Sequence, residues 1–85
     1  MTTQTPSIDF MTFVLSLASS AQVHLGKVPN PATQKTEKNL NLARQTIDIL
    51  ALLEEKTKGN LSSQESELLQ HLVYDLRVQY VKEAV

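Results

Sequence analysis

The chain has only two glycines, Gly26 and Gly59, and each falls where a run of apolar residues at helical spacing breaks off. A glycine just past the last periodic residue supplies the left-handed turn in which an α-helix stops. No stretch alternates in the manner of a strand, so two such stops divide the chain into three helical segments. The spacing predicts helices over about 8–25, 40–57 and 63–82, preceded by a disordered lead over residues 1–7. The prediction is therefore a single helical domain over 8–85.

Each boundary has a local cause. Ser7 is the expected N-cap of the first helix, and Pro29 and Pro31 block its continuation beyond Gly26. Residues 27–38 show no periodicity and read as an ordered or semi-extended connector. The second helix takes Asn39 or Thr36 as its cap, and Lys56 and Lys58 suit the negative end of its dipole before Gly59. Ser62-Ser63-Gln64-Glu65 has the spacing of a capping box, which opens the third helix.

The apolar faces are wider than one small core requires. Eleven of the positions from Ile8 to Leu25 are apolar, where a bundle helix of that length needs roughly eight. Stepped at 100° per residue they cover an arc of about 220°, so the first helix is expected to bury more than one side. In the second helix Leu40, Ala43, Ile47 and Leu50, with Leu42, Ile49 and Leu53 beside them, form one stripe, and Arg44, Asp48 and Glu55 lie away from it. In the third helix Leu68, Leu69, Leu72, Val73, Leu76 and Tyr80 form the main stripe. Tyr74, Val78 and Val81 make a second one on the opposite side.

Composition narrows the function classes. A formal charge of −1 and 20% charged residues leave no field to gather a nucleic acid, so none is expected as a partner. The absence of cysteine removes disulfides, thiolate metal sites and cysteine nucleophiles, and fits a reducing, cytoplasmic setting. The apolar stretch Phe10 to Leu25 has no Lys or Arg before it and is interrupted by Thr12, Ser16, Ser19, Ser20, Gln22 and His24. It reads neither as a signal peptide nor as a membrane span.

Candidate chemistry is sparse. Glu67 and His71 stand four apart on the third helix and could supply two metal ligands, yet a closed site needs four. His24 falls within the apolar arc of the first helix, where a cation suits the helix C-terminus and a structural role suffices. Ser16, Ser19 and Ser20 lack a base within reach. Lys56-Thr57-Lys58-Gly59-Asn60 lacks the order of a phosphate loop and follows a helix, where a phosphate loop follows a strand. No catalytic residue, cofactor or metal is expected.

Several segments in one order carry a resemblance: Phe13-Val14-Leu15-Ser16-Leu17-Ala18-Ser19-Ser20-Ala21, Leu25-Gly26, Pro29 with Pro31, Asn39-Leu40, Ala43-Arg44-Gln45-Thr46-Ile47-Asp48-Ile49-Leu50, Lys56-Thr57-Lys58-Gly59-Asn60-Leu61 and Tyr74-Asp75-Leu76-Arg77. Together, over about residues 10–81, the chain resembles the bacterial domain of unknown function family 1844. The resemblance implies small bacterial proteins with no assigned reaction, cofactor or catalytic residue.

The sequence thus predicts an all-α three-helix unit that forms a helical-bundle homo-oligomer, a dimer or tetramer. Its expected function is that of a noncatalytic interaction or structural module of the cytoplasm, with a second copy of itself as the expected partner and another protein as the alternative one. The surplus apolar surface places the interface at Phe10, Phe13, Val14 and Leu17 of the first helix and at Tyr74, Val78 and Val81 of the third. The alternative is a small metal- or ligand-binding protein in which symmetry duplicates Glu67 and His71 at a subunit interface.

Overall fold

A computed structural model describes residues 9–85. Among them are three helices and no strand: α1 (Phe10–His24), α2 (Leu40–Lys56) and α3 (Ser63–Ala84), each packed against the other two. The expected lead, the Ser7 cap and the start at Ile8 fall outside the described residues. Helix α1 begins instead on Asp9, whose side chain accepts the Thr12 backbone N–H at 2.8 Å. An aspartate at the N-cap satisfies one orphan donor and sets a negative charge at the positive end of the dipole. That amide holds the Asp9 carboxyl below its ordinary pKa.

The other boundaries follow the sequence. Asn39, not Thr36, caps α2, its Oδ1 accepting the Leu42 N–H at 3.1 Å. Ser62 and Glu65 close the capping box of α3: the Glu65 N–H donates to Ser62 Oγ at 3.1 Å, and the Ser62 N–H donates to Glu65 Oε1 at 2.9 Å. At the end of α1, Gly26 takes a φ of +78°. Its N–H reaches the Val23 carbonyl, and the Lys27 N–H reaches that of Gln22, both at 3.0 Å. This is a Schellman closure, which only a left-handed residue permits without strain.

The connector between α1 and α2 is ordered around Asn30. Its N–H donates to the Lys35 carbonyl at 2.8 Å, its carbonyl accepts from Thr33 and Gln34, and its side-chain oxygen accepts the Ala32 N–H at 2.8 Å. Gln34 adopts a φ of +59° within this turn. The Asn39 N–H donates to the His24 carbonyl at 2.7 Å, which fastens the start of α2 to the end of α1.

The core draws on one strip of each helix at i, i+4, i+7 spacing. It comprises Val14, Ala18, Ala21 and Leu25 from the first helix and its cap; Ala43, Ile47 and Leu50 from α2; and Leu69, Val73 and Leu76 from α3. Thr46 is also buried, and its hydroxyl donates to the Leu42 carbonyl at 2.9 Å, so no donor is orphaned there. Two expectations are corrected. Leu42 and Ile49 are exposed and stand outside the core stripe of α2, and α1 buries a far narrower arc than its apolar residues span. A helix touched by two neighbours is covered only over the sector between them, whatever the width of its apolar arc.

Candidate interaction surface

The outer face of α3 carries Tyr74, Val78 and Val81 one above another, roughly opposite the buried strip Leu69, Val73 and Leu76. Tyr74 is 71% exposed and Val81 59%, and Val78 is half-buried between them. With Arg77 and Lys82 they line an open groove of apolar character. Its side chains project from the C-terminal half of a 22-residue helix, which holds them at fixed spacing.

The first helix contributes less than the sequence suggests. Val14 is 1% exposed and belongs to the subunit's own core. Phe10 and Leu17 pack half-buried against that core, and Phe13 remains outside. A feature the sequence reading missed is a second exposed stripe on α2, formed by Leu42, Ile49 and Leu52. Leu52 stands one turn beyond Asp48, which with Arg44 shares a cleft with Arg77 and Tyr80 of α3. Periodicity alone assigns Leu42 and Ile49 to the single stripe of α2 and leaves Leu52 unassigned, although the three share an i, i+7, i+10 spacing.

Charged groups are arranged around these faces with one internal clamp. Glu83, in the last turn of α3, takes Lys27 on Oε2 at 2.8 Å and Lys38 on Oε1 at 2.6 Å, one ammonium from each end of the connector. Hydrogen bonds from Lys27 and Lys38, with their positive charge, pull the Glu83 carboxyl from its ordinary 4.5 to about 2. No local sequence signal marks this clamp, because Glu83 lies more than forty residues along the chain from either lysine.

The depressed value sets the sign of the pH effect. A carboxyl with a lowered folded-state pKa stabilises the fold above its unfolded-state value, and that contribution is lost as pH falls through the folded-state value. Urea midpoints of the wild type and Glu83→Gln should therefore differ most near neutrality and converge as pH drops from 4.5 to about 2. A difference that persists unchanged at the acid end would show that the carboxylate charge is not what holds the connector.

Glu67 and His71 are exposed and share an open concavity with Gln70 and Tyr74. Among the described residues no group of three or more His, Asp or Glu side chains converges as a metal site would require. His24 is half-buried and, with Ser19, Ser20, Val23, Asn30 and Pro31, borders a small cleft between α1 and the connector. Ser16 donates its hydroxyl back to the Thr12 carbonyl at 3.1 Å, as a structural serine on a helix does. Among the described residues no helix is long and apolar enough to cross a membrane.

Comparison with known families finds one match: the family model of a domain of unknown function, DUF1844, covers residues 7–82. No curated protein and no solved structure matches the chain.

Proposed function

We propose that this chain, which belongs to the DUF1844 family, a domain of unknown function, is a noncatalytic helical module that works by associating with a second copy of itself. The observation that carries this reading is the outer stripe of α3, where Tyr74 and Val81 each leave more than half of their surface in water. Large apolar side chains that line up on a rigid face mark an interaction surface more than singly scattered ones do. A chain this short buries a modest fraction of its surface alone, so covering the stripe also adds to a small core. The absence of cysteine supports a reducing, cytoplasmic setting, and the near-neutral charge with no long apolar helix among the described residues supports neither nucleic acid nor membrane as partner.

Sedimentation from micromolar to millimolar concentration tests the reading. The wild type should move from a 9.5 kDa species toward twice that mass. Tyr74→Asp combined with Val81→Asp should remain at the lower mass with unchanged helical content, because neither residue belongs to the core. A wild type that stays at 9.5 kDa throughout would refute self-association.

A further inference from the structure

The outer face of α3 has the 3-4 spacing of a coiled-coil seam in His71, Tyr74, Val78 and Val81, and the C-cap residue Val85 continues that spacing just past the helix end. Its two edges differ in charge. Asp75 and Lys82 flank the seam on one side, and Arg77 and Ala84 on the other. Asp75, Arg77 and Lys82 are all exposed, and none of them enters an ion pair among the described residues. Arg77 leans toward α2, where it shares a cleft with Glu54 and Glu55. Asp75 accepts a hydrogen bond from its neighbour Gln79 at 3.0 Å.

This asymmetry discriminates among the ways two copies of α3 can meet. In a parallel pair the two-fold axis runs along the seam, so one edge of each helix meets the other edge of its partner. Arg77 would then face Lys82 of the partner subunit, twice per dimer. In an antiparallel pair the axis is perpendicular to the helices and each edge meets itself. With Tyr74 opposite the partner's Val78, Asp75 faces the partner's Asp75, Arg77 faces the partner's Arg77, and the His71 imidazole is laid over an apolar layer. Sliding the helices by one heptad removes every one of these conflicts. Val78 then lies opposite the partner's Val81 and Tyr74 opposite the partner's Val85, which gives four apolar layers by symmetry. Asp75 meets the partner's Lys82 twice, and Arg77 meets the small side chain of the partner's Ala84.

We propose that the partner for this surface is a second copy of the chain, docked through antiparallel α3 helices in the register that pairs Val78 with Val81 and Asp75 with Lys82 across the two-fold. The proposal rests on the self-association reading above and specifies its geometry. The overlap runs from Tyr74 to the cap residue Val85, with about 17 Å of it helical at 1.5 Å per residue. An interface of that extent belongs to the weak, reversible class. Glu67 and His71 fall outside the overlap, so this two-fold does not bring two such pairs together.

Charge reversal at the exposed edge tests orientation and register in one experiment, with dimer dissociation read by sedimentation equilibrium at low salt. Lys82→Glu sets a carboxylate against the partner's Asp75 in both halves and should weaken the dimer roughly tenfold, as should Asp75→Lys. The double reversal restores both attractive contacts and should return the constant to within about threefold of the wild type. Tighter association of Lys82→Glu would overturn the proposal in favour of a parallel pair, where Arg77 gains a partner. Dimerisation that none of the three variants changes would place the interface elsewhere and also overturn it. A wild type that remains a monomer removes the self-association reading itself, an outcome distinct from a dimer that ignores these charges. Far-ultraviolet circular dichroism on each variant confirms that the exposed substitutions leave the helices intact.

Discussion

Replacing Leu50 with alanine should remove about 2–5 kcal/mol of stability, the cost of emptying a fully buried leucine site that its surroundings only partly refill. Leu50 is 0% exposed at the centre of the three-helix core. A domain of this length has roughly 4–13 kcal/mol in total at about 0.05–0.15 kcal/mol per residue, so the loss takes a large share of it. Thermal unfolding should fall by at least about 8 °C, since each kcal/mol moves the midpoint of so small a domain by about 4–8 °C. Leu52, two residues on and 54% exposed, is the internal control. Its replacement by alanine should stay within about 0.5 kcal/mol of wild type. Equal effects at the two positions would mean that α2 is rotated about its axis relative to the arrangement described.

Ala43→Leu should destabilise by about 1–3 kcal/mol for the opposite reason. Ala43 is fully buried, and the strip of α1 that enters the same core also carries two alanines, Ala18 and Ala21. Small residues at such positions let helix backbones approach closely, and three added carbons must displace a neighbour from its rotamer or push the helices apart. Urea denaturation reads the effect as a lower midpoint at unchanged slope. An unchanged midpoint would reveal unfilled space beside Ala43 that the close packing of the helices does not leave.

The elements themselves were legible because their ends are written in local chemistry. Gly26 and Gly59 both adopt the positive φ that their positions after apolar runs implied. Ser62 and Glu65 form the reciprocal bonds that their spacing required. Asp9 was missed as a cap although it directly precedes the helix, because Ser7 before Ile8 fitted the same rule two residues earlier. The faces were legible only in part. Periodicity gives the azimuth of each side chain, and on α3 that sufficed to separate Tyr74, Val78 and Val81 from the core. On α2 it did not, since Leu42 and Ile49 lie within the apolar arc and only the positions of α1 and α3 determine which part of the arc is covered. Val14 illustrates the same limit on α1: its azimuth admits an interface or a core position, and packing within the subunit decides for the core. The clamp at Glu83 belongs to tertiary structure alone.

That clamp, together with the Asn39 to His24 hydrogen bond, fixes both ends of the α1–α2 connector independently of what lies between them. Thr36 and Glu37 are exposed, past the turn built on Asn30 and before the Lys38 anchor. Lengthening a loop whose ends are already held together costs only about 0.6 kcal/mol for each doubling of its length. The fold thus offers insertions one short stretch, where a peptide tag or a whole inserted domain would be carried outside the bundle while the three helices keep their register.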